Sequence, residues 1–516
     1  MIFTEDFFSP TSVYPSEDLV QLVDSFTKEN VNYQKYTGSA TLIDDGVVYR
    51  KKGNDFYVDT NFLTSGQLNI QRFGAKGDDL TDNNAAIKRA LAFCENYRKE
   101  RIISGKAPNG MDVLYHQFDK AITIYFPNGI YRYTDIGNIK IENLTIKGET
   151  FRGVVLKCMK GGIALEMNAF KDDYSSPPFC KNLNLNNIVV EGQYNTEVLI
   201  FAQGISHSNW ENVAVREADK DLGIGFYFKG VMLSGFKNLQ CSSDVDTVMK
   251  TGNKNIPYQG LKLDHGHRIQ KEKQIIEGEE VIVEVLNGIG NCSNNSFYDI
   301  KMEGMSFGVN IFQGDQNTFY GGTPESCTKY GLMISRGSRY NTFIGSAFEN
   351  DYSIADILDD GIHTVYINCY ASKKAWFQGQ GSTVLGGFWQ EVQIDNSAEA
   401  TKIENVTIKY FPLPSEGIID NGKMTTIQNV RDKILGTYIP NKYNATVHLG
   451  SAQRPQNNSV GSMIFDTDLL KPIWFNGNSW VDASGNIVIY FLNLGKYPKY
   501  ITTAAIKIAA VLFVIF

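Results

Sequence analysis

The sequence predicts an all-β fold, a solenoid of short strands wound into stacked coils, and three observations lead there. A segment returns at Asn295-Ser296-Phe297, Asn317-Thr318-Phe319, Asn341-Thr342-Phe343 and, more loosely, His363-Thr364-Val365. Its Ser/Thr positions fall at 296, 318, 342 and 364, a nearly constant period of roughly 22–24 residues. A second marker out of phase with it, Gly308-Val309-Asn310-Ile311, is answered one period later by Gly331-Leu332-Met333-Ile334. The runs between are short and β-forming, separated by Gly, Asn, Asp and Ser, without the i, i+3, i+4 apolar spacing of helical repeats. Each coil of such a solenoid buries its own apolar side chains and pairs its backbone with the coils above and below.

Composition agrees. The 516 residues include 47 Gly and 12% aromatics, which favours β-structure with many turns, and the aromatic excess suits carbohydrate surfaces. A net charge of −7 argues against nucleic acid as the main partner. Seven cysteines, at 94, 158, 180, 241, 292, 327 and 369, form no CxxC pair. They read as small core residues of a chain folded in a reducing cytoplasm, not as a disulfide framework or zinc site, and no metal site is expected. Met1-Ile2-Phe3 runs into Thr4-Glu5-Asp6 without the basic and apolar regions of a secretory leader. A protein that works outside the cell would then leave by lysis or through a machine.

Residues 1–67 form a mixed, polar opening, read as an attachment segment. Two short strands are expected around a Lys51-Lys52 turn, in Asp44–Arg50 and Gly53–Val58. In Phe73-Gly74-Ala75-Lys76-Gly77-Asp78-Asp79-Leu80-Thr81-Asp82-Asn83-Asn84-Ala85-Ala86-Ile87, Gly77-Asp78 should turn the chain. Thr81 or Asp82 should cap a helix that is apolar on one side from Ala85 to Tyr97. Such a helix closes the end of a solenoid, whose unpaired edge would otherwise recruit another chain.

This string resembles the opening motif of the pectate lyase superfamily and of rhamnogalacturonase-like and epimerase-like β-helices, FGAKGDGxTDDTxAI. Phe126-Pro127-Asn128-Gly129-Ile130-Tyr131 is similar to that group's Pro-x-Gly-x-Tyr strand. The resemblance covers about 68–150, and the coil period extends it to about 410. It implies a right-handed single-stranded parallel β-helix with an N-terminal capping helix, and says little about the reaction, because the group shares a fold more than a chemistry.

From 139 to 260 strand patterns continue, as in 139–146 and 183–190, with Asn-rich turns that suit coil corners. Residues 264–290 interrupt the period: Asp264-His265-Gly266-His267-Arg268, a charged run at 271–273, and an alternating 281–285. This predicts a hairpin projecting just before the next coils as one wall of a groove.

Six residues after each Phe of the repeat stands a glutamate: Glu303, Glu325 and Glu349, with the series ending at Ala371. If the register holds, three carboxylates stack about 4.8 Å apart, the separation of paired strands. They should face outward, since burying each would cost several kcal/mol. Two unit charges about 5 Å apart at an effective dielectric of about 20 repel by roughly 3 kcal/mol, so at least one should hold its proton near neutral pH. An acid beside a carboxylate is the minimum equipment for cleaving a glycosidic bond, about 5 Å suiting retention and about 6.5–9.5 Å inversion. The competing reading is a solvated acidic stripe or a bound cation.

Around this proposed catalytic trio we place candidate substrate-binding residues. Arg336 and Arg339, in Arg336-Gly337-Ser338-Arg339, would pair with the glutamates or with an acidic sugar. Asp351 and Asp356 lie just beyond the ladder and are reserve candidates. Trp376 and Trp389 would stack on sugar rings, against the alternative of core roles. His265 and His267 invite comparison with the Gly-His-Gly motif of polygalacturonases, but Asn-Thr-Asp and paired Asp-Asp are missing from suitable places, so those roles are not carried over.

After about 410 the coils fade into a linker at 411–440. A small C-terminal β module at 441–490 follows, then an apolar tail at 491–516. The string from Arg454-Pro455 through Val460-Gly461, Phe465-Asp466-Thr467, Lys471-Pro472-Ile473-Trp474-Phe475-Asn476-Gly477 and Trp480-Val481-Asp482-Ala483 is similar to a short module near the ends of phage and prophage tail proteins. Asn476-Gly477 between aromatic runs signals a hairpin. The closing run Ile508–Phe516 is nine apolar residues, against about twenty needed to span a bilayer.

Together these readings lead to a phage or prophage tail spike, made in the host cytoplasm and carried on the virion tail. It would bind and hydrolyse a bacterial surface polysaccharide, capsule or O-antigen, without a cofactor. The resemblance implies a homotrimer attached to tail or baseplate proteins. Two alternatives keep the substrate: a lyase acting by β-elimination, which would need an arginine or calcium to neutralise a uronic acid, and a receptor-binding fibre without activity.

Overall fold

The computed structural model describes residues 2–482, with the exception of 4, 13, 15–16, 39–41, 100–101, 107–111, 117–120, 171–178, 243–256, 277–278, 351–352, 409–416, 434–441, 444–446, 450–462, 467–470 and 477. Backbone contacts divide the chain into Met1–Lys442 and Tyr443–Phe516.

The first unit opens with a five-stranded sheet, in spatial order Ile2–Phe3, Leu19–Val23, Asn30–Lys35, Asp55–Asp59 and Tyr49–Lys52. The expected strand pair is present, but Lys51 and Lys52 lie within a strand and the turn falls at 53–54. Phe7, Val20, Leu22, Val31, Tyr33 and Tyr57 form a core of their own here. A buried arginine joins this sheet to the first coil. Arg72, in the 3-10 turn Ile70–Phe73, ion-pairs with Asp59 and with Asp24 Oδ2 (3.4 Å), and donates to the Tyr33 hydroxyl (2.8 Å).

The motif at 73–87 folds differently from its sequence reading at one point. Asp78–Asp82 is a strand, parallel to Gly129–Tyr133, and Asp78 accepts from the amides of Leu80 and Thr81 ahead of it (3.0 and 2.8 Å). Gly77 and Gly129, one from each motif, are required by close approach: a Cβ on Gly77 would stand 2.8 Å from the Gly129 Cα. The helix Asn84–Lys99 follows, with Asp82 accepting from the Asn84 amide (3.0 Å). Its buried residues Ala86, Ile87, Ala90, Leu91, Phe93 and Cys94 belong to the main core.

The rest of the unit is a parallel β-helix. In its regular part each coil carries three strands. The first-strand line runs Ser296–Tyr298, Thr318–Tyr320, Thr342–Ile344, Val365–Ile367, Thr383–Leu385, Lys402–Glu404 and Thr426–Gln428. The second begins Lys301–Glu303 and Thr323–Glu325, and the third Phe307–Ile311, Tyr330–Ile334 and Ala355–Asp359. The expected register slips by one position in its fourth repeat. Val365, not Thr364, pairs with Thr342, so that step is longer by one and Tyr366 takes the phenylalanine slot.

The phenylalanines and asparagines of the repeat have structural tasks. The phenylalanines point inward and stack, with ring centroids 4.5 Å apart for Phe297–Phe319 and 4.6 Å for Phe319–Phe343. The asparagines form a buried ladder. Asn317 Oδ1 accepts from the backbone and side-chain nitrogens of Asn295 (3.2 and 3.0 Å), and Asn341 Oδ1 does the same for Asn317 (3.1 and 3.0 Å). Asn317 Nδ2 also donates to Cys292 O (2.9 Å). The residue before each asparagine takes a left-handed backbone, Asn294, Gln316 and Tyr340 with φ of 54°, 56° and 56°. That turn leaves backbone groups facing inward, and the asparagine side chains reach them. Asn317→Ala should therefore lose about 2–3 kcal/mol in chemical denaturation, because buried donors are left unpaired. A loss below about 1 kcal/mol, the net worth of one ordinary hydrogen bond, would remove the ladder from the fold's main supports.

The coils do not stop at 410. Ile418–Asp420 pairs with Phe388–Ile394, and Arg431–Asp432 with Thr407–Ile408, so much of the expected linker belongs to the stack. An Asp-x-Gly-x-x-Thr corner explains how it continues. Asp420 accepts from Gly422 N and Thr425 Oγ1 (2.9 and 3.0 Å), as Asp359 does from Gly361 N and Thr364 Oγ1 (2.9 and 3.2 Å).

In the second unit, Val447–Leu449, Met463–Asp466, Lys471–Phe475 and Trp480–Val481 form a four-stranded sheet over Ile473, Phe475 and Trp480. The last two strands are antiparallel, as the Asn476-Gly477 signal requires, and Asn476 Oδ1 accepts from Asn478 N and Ser479 N (3.0 and 2.9 Å). Gly450–Pro455, Val460-Gly461 and the apolar tail lie outside the described residues. All seven cysteines are buried. Among the described residues no helix is long and apolar enough to cross a membrane.

Candidate functional site

Strand alternation sets the glutamates' direction. Met302, Pro324 and Phe348 are buried, so the following residue of each coil, Glu303, Glu325 or Glu349, points outward. Register stacks them: Glu303 pairs with Glu325 in a parallel ladder, and Glu325 bridges Glu349. Glu303 is half-buried, and Glu325 and Glu349 are exposed. Steps of about 4.8 Å put the outer two about 10 Å apart at the backbone. No ion pair joins any of the three to another described residue.

The chain then rounds the corner into the third strand, where sequence reasoning had placed nothing. Tyr258, Phe307 and Tyr330 form a half-buried aromatic group there, with centroids 5.3 Å apart for the first pair and 5.9 Å for the second. Lys329 lies over Tyr258 and Phe307 (5.0 and 5.4 Å) and donates to the Tyr258 hydroxyl (2.6 Å). A signal was present: Phe307 and Tyr330 immediately precede the two Gly markers of the repeat. Ala355 takes the next place in line and ends the group.

Beneath this corner lies Asp356, fully buried, which corrects its reading as a reserve site residue. It accepts from Asn350 N and Nδ2 (3.1 and 2.9 Å) and from Lys373 N (2.5 Å). Asn350 in turn donates to Pro324 O (3.2 Å) and accepts from Cys327 N (2.7 Å), so this network fixes the backbone beside Glu325 and Glu349. Burial pushes the Asp356 carboxyl up to about 6, against the opposing pull of those hydrogen bonds. The folded chain thus holds a proton that the unfolded chain has released between about pH 4 and 6, so this contribution to stability is complete below that window and lost as pH rises through 6. Comparing wild type with Asp356→Asn at pH 4.5 and 7.5 should show wild type losing more stability on the way up. Equal slopes would contradict the assignment.

The other expected residues are not gathered at the ladder. Arg336 and Arg339 are exposed at the corner after the third strand, where Arg339 bridges Asp315 and Ile362. The strand Tyr330–Ile334, roughly 16 Å long, separates that corner from the glutamates. Direct pairing of the arginines with the glutamates is thereby corrected. The hairpin exists, Gly266–Ile276 antiparallel to Glu279–Gly290, but it leaves from this same far corner and does not wall the ladder. At its base His265 Nδ1 lies 2.8 Å from Asn291 Oδ1, Asn291 Nδ2 donates to Asp315 (2.8 Å), and the His265 and His267 rings are 4.7 Å apart. Burial, then the neighbouring His265 and Lys229, hold His267 below its ordinary value. Trp389 is 0% exposed and packs on Tyr366, which rules out stacking on a sugar. Trp376 is half-exposed on the outer side of the third-strand line, its indole donating to Asp395 (3.2 Å). Asp351 lies outside the described residues. Among the described residues no group of three or more His, Cys, Asp or Glu is arranged to hold a metal ion.

Residues 67–173 match the family model described as rhamnogalacturonase A/epimerase, pectate lyase-like. No curated protein matches the chain in sequence. Solved structures similar in fold include ORF18 of Geobacillus virus E2, at 15% identity and TM-score 0.46, covering 94% of this chain and 87% of that one. The gp42 tailspike of Acinetobacter phage vb_AbaP_AS12 follows at 10% identity and TM-score 0.49, with 89% and 78% covered. The DFA-IIIase of Arthrobacter chlorophenolicus A6 has 8% identity and TM-score 0.48, with 74% and 100% covered.

Proposed function

We propose that the chain is a phage or prophage tail spike that binds a bacterial surface polysaccharide and cleaves its glycosidic bonds at the corner formed by Glu303, Glu325 and Glu349. One observation carries this reading: three water-facing carboxylates in strand register beside an aromatic group on a solenoid. The pectate lyase-like match at 67–173 and the tail-module resemblance support it. Adjacent rungs, about 5 Å apart, suit a nucleophile and an acid in a retaining hydrolysis; the outer two, about 10 Å apart at the backbone, reach the inverting range of about 6.5–9.5 Å only with their side chains leaning together. The aromatic rings and Lys329 offer faces and a donor for sugar rings on one side of the acids. A homotrimer docked to tail or baseplate proteins completes the proposal.

Elimination is the weaker reading, because the arginines it would use against a uronic acid stand at the far corner. The test is digestion of capsule or O-antigen from the host strain. Polymer length should fall without the near-ultraviolet absorbance of an unsaturated product. Tight binding with no change in length would instead make the chain an adhesin.

A further inference from the structure

We propose that the outer face of the third-strand sheet carries a saccharide subsite centred on Asn310, whose side-chain oxygen accepts a hydrogen bond from a hydroxyl or acetamido N–H of the bound polymer. This rests on the reading of the chain as a polysaccharide-binding protein. Val309 and Ile311 belong to the core, so alternation turns Asn310 to the outer side, yet it is only 8% exposed. Its Nδ2 donates to Gln259 Oε1 (2.8 Å), which fixes the amide, and its Oδ1 is buried without a hydrogen-bond partner.

An orphaned acceptor of this kind is costly, and the next coil shows that the position does not need one: Met333 pairs with Asn310 in register. A buried polar atom that no structural partner satisfies is a place where a ligand can supply the missing bond. With the nitrogen committed to Gln259, the oxygen can only accept, so the ligand group must be a donor. The surroundings suit a sugar. Phe307 opens the same strand three residues before Asn310, and Tyr330 pairs with it in the next coil. Trp376 occupies the Asn310 line three coils on, through Met333 and Leu358, about 14 Å away. The oxygen is closed to water in the free chain. Its in-register neighbours are the unbranched side chains of Lys262 and Met333, and entry of a sugar requires the surroundings of the oxygen to move aside.

The test soaks crystals in molar glucose and, separately, in molar N-acetylglucosamine. A sugar hydroxyl, or in the second soak the acetamido N–H, should lie within about 3 Å of Asn310 Oδ1, and the two soaks separate these donors. The variant Asn310→Met should lose the sugar at this position while its melting temperature rises by about 1–3 °C, because the orphan acceptor is gone. A purely structural asparagine would give the opposite shift. Sugar bound at the glutamate corner but not at Asn310 overturns the subsite and leaves the reading of the chain as a polysaccharide binder intact. A sugar that persists in Asn310→Met, no sugar in either soak, or a fall in melting temperature also overturns the subsite.

Discussion

Replacing Arg72 with alanine should cost about 3–5 kcal/mol, measured as a shift of the first denaturant transition of the full chain, because it strands two buried carboxylates. Asp24 and Asp59 each spend one oxygen locally. Asp24 Oδ1 accepts from Phe26 N and Thr27 N (3.0 and 2.8 Å), and Asp59 Oδ1 accepts from Asn61 N (2.8 Å) at the start of the helix Thr60–Ser65. Their other oxygens face Arg72, within a region closed to water. Arg72→Met should lose nearly as much, since volume is kept but the charges remain unpaired. Arg72→Lys should lose less, as it retains the charge without the fork that reaches both acids. Arg72 also donates to Val47 O (3.3 Å), so its loss loosens the joint between the N-terminal sheet and the first coil. Limited proteolysis should then cut there before it cuts the coils. If all three variants stay within about 1 kcal/mol of wild type, far below the cost of a broken buried pair, the joint is held by apolar packing instead.

That joint illustrates what the sequence conceals. Asp24, Asp59 and Arg72 are far apart along the chain and belong to no periodic pattern, so nothing local announces their meeting. The coils are legible for the opposite reason. Every rung poses the same burial problem again, so Phe297, Phe319 and Phe343 on the inside and Glu303, Glu325 and Glu349 on the outside are fixed by one parity argument. The slip at the fourth repeat has a physical cause: Thr364 resembles the hydroxyl residue of the triplet, but it stands in the buried asparagine slot, where a small polar group serves equally well. The boundary near 410 misled because prolines at 412 and 414 look like a linker, whereas pairing resumes at Ile418. Trp389 could not be oriented from the sequence, since the bulge between Ala371 and Lys374 resets strand parity there. Arg336 and Arg339 looked close to the ladder by sequence distance, but a coil corner and a whole strand intervene.

Glu325 holds the middle rung, and this makes it the most informative single position for the proposed chemistry. Glu325→Gln keeps shape and hydrogen-bonding capacity but removes the carboxylate, and the rate of polymer shortening should fall by about 10²–10⁴-fold with binding nearly unchanged. The reason is spacing. Either adjacent pair, Glu303 with Glu325 or Glu325 with Glu349, falls near the separation of a retaining nucleophile and acid, and both pairs contain Glu325. Glu303→Gln and Glu349→Gln then report which neighbour is the partner: one should match the loss at Glu325, and the other should be mild. If Glu325→Gln stays active while both outer variants fail, the outer pair works by inversion and the middle carboxylate is a spectator. If all three variants shorten polymer within threefold of wild type, the ladder is a solvated acidic stripe, and the catalytic centre must be sought elsewhere on the coils.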